Sequence, residues 1–302
     1  MKNLSQFTEL HQRCIISVKG TDAEHFLQGL ITNDIKKVSN ERCIWAAILS
    51  PQGKFLHEFI VYKNTDKFFL DCELDRSDDL MIILKKFKLK ADIIFKIEDE
   101  LIVGAAWGHI TRDELGISET LGSKVDNKYG AIMQDPRLLD AGIRIIGTCN
   151  QVLELPVKLK AQPADNQIFD QHRIKLGLPD GGKDMTVGKA LLLENGFNEL
   201  NGVDFQKGCY IGQEVTARTF YRTLIKKRLV PVLIDGKAPK CGSSISLNGK
   251  TVGEMKTSCG NYGLALIRLD TLSPNFDNPL SCENATITPK VPMWLDTHKL
   301  TA

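Results

Sequence analysis

No apolar run in the 302-residue chain approaches the ~20 residues that a membrane-spanning helix needs. The longest, Leu101-Ile102-Val103 with Gly104-Ala105-Ala106-Trp107 behind it, is far shorter. Charge of one sign is also missing: 39 basic against 37 acidic residues leave +2, so no net field points to a nucleic acid or a lipid surface. The eight cysteines, at 14, 43, 72, 149, 209, 241, 259 and 282, include no CxxC pair. Their scatter along a long chain fits reduced thiols rather than a disulfide scaffold, and a complete zinc or cluster site would have to gather distant residues. GxxxxGK[ST], GxGxxG after a strand, HExxH and GxSxG are all absent, which removes the usual support for nucleotide hydrolysis, Rossmann redox chemistry and zincin proteolysis. Met1 to Gln6 carries a lysine with no apolar stretch behind it and is not arginine-rich, so neither a secretory signal nor a transit peptide is expected. The expected compartment is the bacterial cytoplasm or, in a eukaryote, the mitochondrial matrix.

What is present is globular: 42% apolar and 25% charged residues, in a length of about two ordinary domains. Cys14 to Val18 reads as a strand ending at Gly20. Thr21-Asp22-Ala23-Glu24 has capping-box spacing, and Phe26, Leu27, Leu30 and Ile31 follow with helical periodicity. Trp45 to Leu49, the Pro51-Gln52-Gly53 turn and Phe55 to Tyr62 predict a hairpin, and Lys67 to Cys72 a further strand. Leu80, Ile83, Leu84 and Phe87 predict a helix over 77–89, with strands at 93–97 and 101–107. This alternation predicts an α+β layer. Thr111 to Tyr129 reads as loop or short helix, 171–177 as a short helix, 180–184 as a loop and 190–194 as helical. Past a boundary near Lys227 the chain is punctuated by Asp235-Gly236, Cys241-Gly242, Asn248-Gly249, Val252-Gly253 and Cys259-Gly260, which predicts a small antiparallel barrel.

The densest chemical text is Lys207-Gly208-Cys209-Tyr210-Ile211-Gly212-Gln213-Glu214-Val215-Thr216-Ala217-Arg218. Glycines on both sides of Cys209 permit a sharp turn or the close approach of another molecule. A helix from Gln213 would pair Glu214 with Arg218 at i,i+4. A cysteine ahead of a helix start, with Lys207 nearby, is placed to ionise. A thiol pKa lower by ~1.5 units would cost the environment ~2 kcal/mol. Spacing alone leaves two readings open, a reactive thiolate and an inert small core residue.

Gly208 to Glu214 resembles the KGCYxGQE signature of the YgfZ family, folate-binding iron–sulfur assembly factors related to the glycine-cleavage T-protein. Thr216-Ala217-Arg218-Thr219 and Lys227-Arg228-Leu229 extend the likeness, in wording similar to the family's mitochondrial branch. So do Gly20-Thr21-Asp22-Ala23, Phe26 to Leu30, Thr32-Asn33-Asp34, Gln52-Gly53-Lys54, and Arg173 with Gly177-Leu178-Pro179. The resemblance implies a three-part T-protein-like ring. Residues 1–45 plus 145–225 would form a discontinuous folate-binding domain, 46–144 a ferredoxin-like α+β domain, and 226–302 a C-terminal antiparallel β-barrel.

For the site, the resemblance implies Cys209 as the chemically active residue. It would be a ligand to an iron–sulfur cluster shared with an A-type scaffold partner. Tetrahydrofolate or a derivative would be the cofactor, near Glu194, Asn33, Asp34, Lys207, Gly208, Gln213, Glu214 and Arg218. A carboxylate such as Glu194 matches the amino-pyrimidinone edge of a pterin. Lys226, Lys227 and Arg228 would meet the glutamate tail, whereas the run from Lys85 to Lys90 reads as a solvated face. Two departures stand out. His57-Glu58 replaces the paired aspartates of the T-protein, which argues against aminomethyl transfer, and Thr223 stands where many relatives have glycine. Cys14, Cys43, Cys72 and Cys149 are expected in packed cores. The leading expectation is an accessory factor for [4Fe–4S] assembly or repair, without independent turnover. The alternatives are a folate-dependent one-carbon transferase, with Glu194 and His57 at the pterin, and a tRNA-modification factor; no direct nucleic-acid or membrane partner is expected.

Overall fold

A computed structural model describes residues 4–222, 225–272 and 279–296, so Thr223 lies outside the described residues. The chain divides into two units, one of residues 1–49, 56–166 and 201–211, the other of 50–55, 167–200 and 212–302.

The strands of the first unit are β1 (Gln6–Glu9), β2 (Arg13–Lys19), β3 (Ile44–Leu49), β4 (Phe55–Asn64), β5 (Lys67–Glu73), β6 (Ile94–Ile97), β7 (Ile102–Trp107), β8 (Lys124–Asn127), β9 (Gly130–Gln134), β10 (Ile143–Gly147) and β11 (Gln162–Pro163). Its helices are α1 (Ala23–Leu30), α2 (Ser77–Lys88) and α3 (Cys149–Leu159). Two sheets result, a five-stranded one ordered β3-β4-β5-β2-β6 and a six-stranded one ordered β11-β1-β7-β10-β9-β8. The apolar stripes of α1 (Ala23, Leu27, Leu30) and α2 (Leu80, Leu84) close over Ile16, Val18, Phe59, Val61 and Leu70 of the five-stranded sheet. Val152, Leu155 and Leu159 of α3 likewise cover Phe7, Ala106, Ile132 and Ile143 of the other sheet. The five-stranded sheet crosses the expected cut at 45/46, because β2 pairs with both β5 and β6. β2 is fully buried except at its ends and pairs on both edges.

The second unit holds α4 (Asn166–Leu176), α5 (Gly181–Asp184), α6 (Gln213–Tyr221) and strands β12 (Lys227–Asp235), β13 (Ser244–Leu247), β14 (Lys250–Cys259), β15 (Tyr262–Arg268), β16 (Leu280–Cys282) and β17 (Ala285–Pro289). These six strands close into an antiparallel barrel ordered β12-β15-β14-β13-β16-β17. Val230, Val232, Ile234, Ile245, Met255, Ala265, Ile267 and Ile287 fill it. Asn248 and Gly249, both left-handed at φ 51° and 79°, make the β13–β14 turn, the backbone that a two-residue hairpin demands. Val252-Gly253 is no turn but lies inside β14, where a Cβ on Gly253 would stand 2.7 Å from the Leu266 carbonyl oxygen.

Other local expectations need correction. Asp22 does precede α1, but its side chain caps nothing there. It accepts instead from the Asp92 amide at 2.8 Å, and Thr21 donates to the Asp92 carboxylate. Part of the expected loop at 111–129 is strand β8. The 180–184 segment forms one helical turn, and the 190–194 segment a short 3-10 turn over Leu192–Asn195. Cys149 opens α3 and is exposed rather than packed in a core.

Candidate functional site

Helix α1 ends with no basic residue in its last turn. Its final carbonyls therefore lack both partners and a compensating charge. The chain supplies them from a point far downstream. The Lys207 ammonium donates to the carbonyls of Gln28 (2.8 Å), Ile31 (2.6 Å) and Asn33 (2.9 Å). It also sits 5.0 Å from the Tyr210 ring centroid. Burial pulls this ammonium down to about 8, while Asp34 and Asp204 act to hold it up. All three of its donors are spent on main chain, so Lys207, expected at the cofactor, is a clamp.

Further ties fasten the 201–211 segment to the same turn. Thr32 donates to the Gly202 carbonyl at 2.7 Å and accepts from the Ala47 amide at 2.9 Å. The Asp204 amide donates to Thr32 (3.0 Å) and the Ile211 amide to Gly29 (3.2 Å). Between the anchors Lys207 and Tyr210, Cys209 is exposed with a free thiol, and the space beside the Gly208 Cα is open. Helix α6 begins at Gln213 behind the left-handed Gly212, so Tyr210 and Ile211 intervene between Cys209 and the helix cap. Among the described residues no group of three or more His, Cys, Asp or Glu side chains is arranged to hold a metal ion.

Asn33 and Asp34 are committed to local structure. The Asn33 amide donates to the carbonyls of Trp45 and Asn201, both at 2.8 Å, and its oxygen accepts from the Asp34 amide. Asp34 accepts from Gln28 (2.9 Å) and from the Lys36 amide (3.1 Å). Asn33 nonetheless lines a cleft of about 390 Å³ with Lys37, Arg42, Cys43, Trp45 and Asn201.

Behind Trp45 lies a buried charge network that sequence reasoning missed. Trp45 Nε1 donates to Glu58 at 2.6 Å, and Arg13 bridges Glu58 and Asp71, each at 2.7 Å. Arg137 pairs with Asp135 at 2.7 Å and stacks 5.5 Å from the Trp45 ring, while Arg144 stands 3.6 Å from Asp71. Three arginines thus face three carboxylates, and the sum is neutral. Burial works to raise the Asp135 carboxyl, but Arg137 and Arg144 hold it below the usual carboxylate range. Glu58 therefore has both oxygens occupied. His57, 3% exposed, meets Asp79 at 3.0 Å. Burial, with Arg76 beside it, lowers this imidazole to about 4 against the pull of Asp79. A buried, neutral, paired histidine is not an available acid or base. The only sequence signal for the network was the His57-Glu58 departure itself, because its partners come from five other segments.

In the second unit the Gly53 turn is left-handed (φ 71°), and a Cβ there would stand 2.7 Å from Val215 Cβ in α6. The Phe55 amide and carbonyl bond to Ala190 and Gly188. On the following 3-10 turn, Glu194 is half-buried with no hydrogen bond or ion pair among the described residues. Burial raises its carboxyl, offset by Lys227, Lys54 and Arg228. Arg228, expected to meet a folate tail, is itself buried and donates to the Leu193 carbonyl and to Glu199, so it braces the turn that carries Glu194. Lys226 and Lys227 are exposed. On α6, Glu214 and Arg218 face solvent without pairing to each other, while Gln213 is half-buried.

Residues 226–297 match the family described as CAF17, C-terminal beta-barrel domain, and residues 5–106 match the GCVT N-terminal domain. The chain is 30% identical to the mouse protein named iron-sulfur cluster assembly factor IBA57, mitochondrial, over 95% of this chain and 85% of that protein. The human protein of the same name is 31% identical over 85% of this chain and 76% of its own length. Among solved structures, the glycine cleavage system aminomethyltransferase T from Bartonella henselae superposes with a TM-score of 0.79 at 12% identity. It covers 98% of this chain and 88% of its own, and at that identity the likeness shows the fold.

Proposed function

Since the chain belongs to the IBA57 family of iron–sulfur cluster assembly factors, we propose that it works in cluster assembly or repair through Cys209, with the cluster as cargo and an A-type scaffold protein as partner. The observation that carries the reading is the thiol: exposed, on a segment pinned on both sides of it, with no cluster of further ligands arranged around it among the described residues. Clusters usually take four protein ligands. One sulfur offered at a surface suits coordination completed by another protein.

Tetrahydrofolate belongs to the same proposal and rests on a separate observation. Glu194 is a half-buried carboxyl without a partner among the described residues, beside Lys54 and Lys227. Such a group would hold the amino-pyrimidinone edge of a pterin, and the lysines would suit the acidic tail. When bound, a tetrahydrofolate would supply one-carbon or reducing chemistry. The relatives are mitochondrial by name, which supports the matrix over the bacterial cytoplasm as this chain's compartment.

The test is anaerobic mixing with an A-type scaffold loaded with cluster, followed by absorption and Mössbauer spectroscopy. Wild type should perturb the cluster spectrum and co-elute with the scaffold. Cys209→Ser should do neither while keeping its fold, and a Cys209→Ser protein that behaves like wild type refutes the role. The one-carbon transferase reading is not favoured, because His57 is buried and Glu58 has both oxygens taken. Turnover of a folate donor by the isolated protein would reverse that. No observation favours the tRNA reading, and salt-sensitive tRNA binding would be needed to revive it.

A further inference from the structure

Cys14 and Cys72 are direct partners across the antiparallel β2–β5 pair. Both are buried, 8% and 1% exposed, and their sulfurs are 3.5 Å apart, close enough for a thiol hydrogen bond. Directly opposed residues in antiparallel strands have Cα atoms about 4.5–5.5 Å apart, which lies within the range of about 4.4–6.8 Å that a disulfide accepts. Bringing the sulfurs from 3.5 Å to bonding distance, about 2.05 Å, thus needs side-chain rotation more than backbone movement. No other cysteine pair among the described residues has its sulfurs in contact.

We infer that Cys14 and Cys72 form a redox-active dithiol, oxidised by hydrogen peroxide to a cross-strand disulfide, whose state is felt at the Trp45 cleft. Cys14 is the attacking sulfur. It keeps the little exposure that the pair has, and the Cys72 hydrogen bond, helped by Arg13, favours its thiolate against burial. Its sulfur attacks one peroxide oxygen; the S–O bond forms, the O–O bond breaks, and the departing hydroxide takes a proton as water. The Cys72 sulfur then displaces the sulfenic oxygen. The S–S bond forms, the S–O bond breaks, and the Cys72 proton leaves with the oxygen as a second water. Two thiols lose two electrons and one peroxide becomes two waters.

The consequence reaches the cleft through the backbone of β2 and β5. Arg13 is the residue next to Cys14, its guanidinium holds Glu58 and Asp71, and Glu58 holds the Trp45 indole. Asp71 is next to Cys72 on the opposing strand. Whatever approach of β2 and β5 the bond still requires after the side chains have rotated is passed to Arg13 and Asp71, which sit on the opposite face of the same two strands, in a network whose charges sum to zero.

The experiment uses the full wild-type chain, treated with hydrogen peroxide, then unfolded, alkylated and mapped by mass spectrometry. Expected are a linked Cys14–Cys72 peptide pair lacking two hydrogens, reversal by dithiothreitol, and a reversible change in emission that is absent from Trp45→Phe. Cys14 and Cys72 remaining alkylatable after unfolding, at peroxide levels that oxidise exposed Cys149 and Cys241, overturns the inference. A disulfide that forms with Trp45 emission unchanged overturns the coupling to the cleft.

Discussion

Replacing Lys207 by methionine keeps the length of the side chain and removes the ammonium that closes the end of α1. Three charge-assisted bonds are lost, to Gln28, Ile31 and Asn33. Each such bond contributes about 1.5–3 kcal/mol in proteins. The sum is reduced on two counts. The carbonyl of half-buried Gln28 regains water, and the wild-type ammonium already bears the burial that pulls it down to about 8. A net loss of about 2–3 kcal/mol remains. It falls first on the 204–211 segment, which is otherwise tied by the Asp204 and Ile211 backbone bonds and the Lys37–Asp204 ion pair among its contacts. Hydrogen exchange should show faster amide exchange at Ile211 and the α1 end, with a lower urea midpoint and an unchanged m-value. Lys207→Arg should recover part of the loss, since a planar fork cannot meet three carbonyls arranged around one point. In cluster mixing, Lys207→Met should weaken transfer while Cys209 still reacts with iodoacetamide. Unchanged exchange over 204–211 and an unchanged midpoint in Lys207→Met would refute the clamp.

His57 makes stability depend on acid. Its folded pKa is lowered to about 4 from 6.5, so the unfolded chain binds the extra proton between those values and stability falls as pH drops from 6.5 toward 4. The loss is about 3 kcal/mol when complete, and urea midpoints of wild type and His57→Gln across that window should converge on the acid side. Gly53→Ala puts a Cβ against Val215 Cβ at a left-handed residue and should cost about 1–3 kcal/mol in thermal melts, a loss that Val215→Ala, which keeps that Cβ, should not recover. Glu58→Gln breaks a buried ion pair and leaves Arg13 with one carboxylate, at about 3–5 kcal/mol. A double-mutant cycle with Trp45→Phe should show coupling, and additivity would disprove the shared carboxylate.

Legibility followed the range of the interactions. Helices α1 and α2 and the β3–β4 hairpin were readable because their apolar spacing and turn residues are local. The Asn248-Gly249 turn announced the barrel in the same way. Helix α3 was not read: Pro156 lies inside it and its capping box, Thr148 with Gln151, follows a strand without a break. Strand β8 was hidden in polar text because Lys124 is buried through its pairing with Asp126 rather than by being apolar. The Cys209 motif was legible as chemistry, but the task of Lys207 was not. Its acceptors are main-chain carbonyls far upstream in sequence, and no side-chain pattern records a carbonyl. Glu194 stood out only by resemblance, since the absence of a partner leaves no trace in a sequence.

That choice of acceptors bears on how freely the sequence can drift. Substituting Gln28 or Ile31 deletes a side chain but leaves its oxygen in place, so the lysine's part of the fastening tolerates turnover at both, whereas Thr32 and Asn33 also hold Gly202 and Asn201 through their side chains. What it does not tolerate is an altered path of the chain, such as a proline that ends α1 a turn early. Around Lys207 the fastening is written in the course of the backbone, and the lysine is the side chain that reads it.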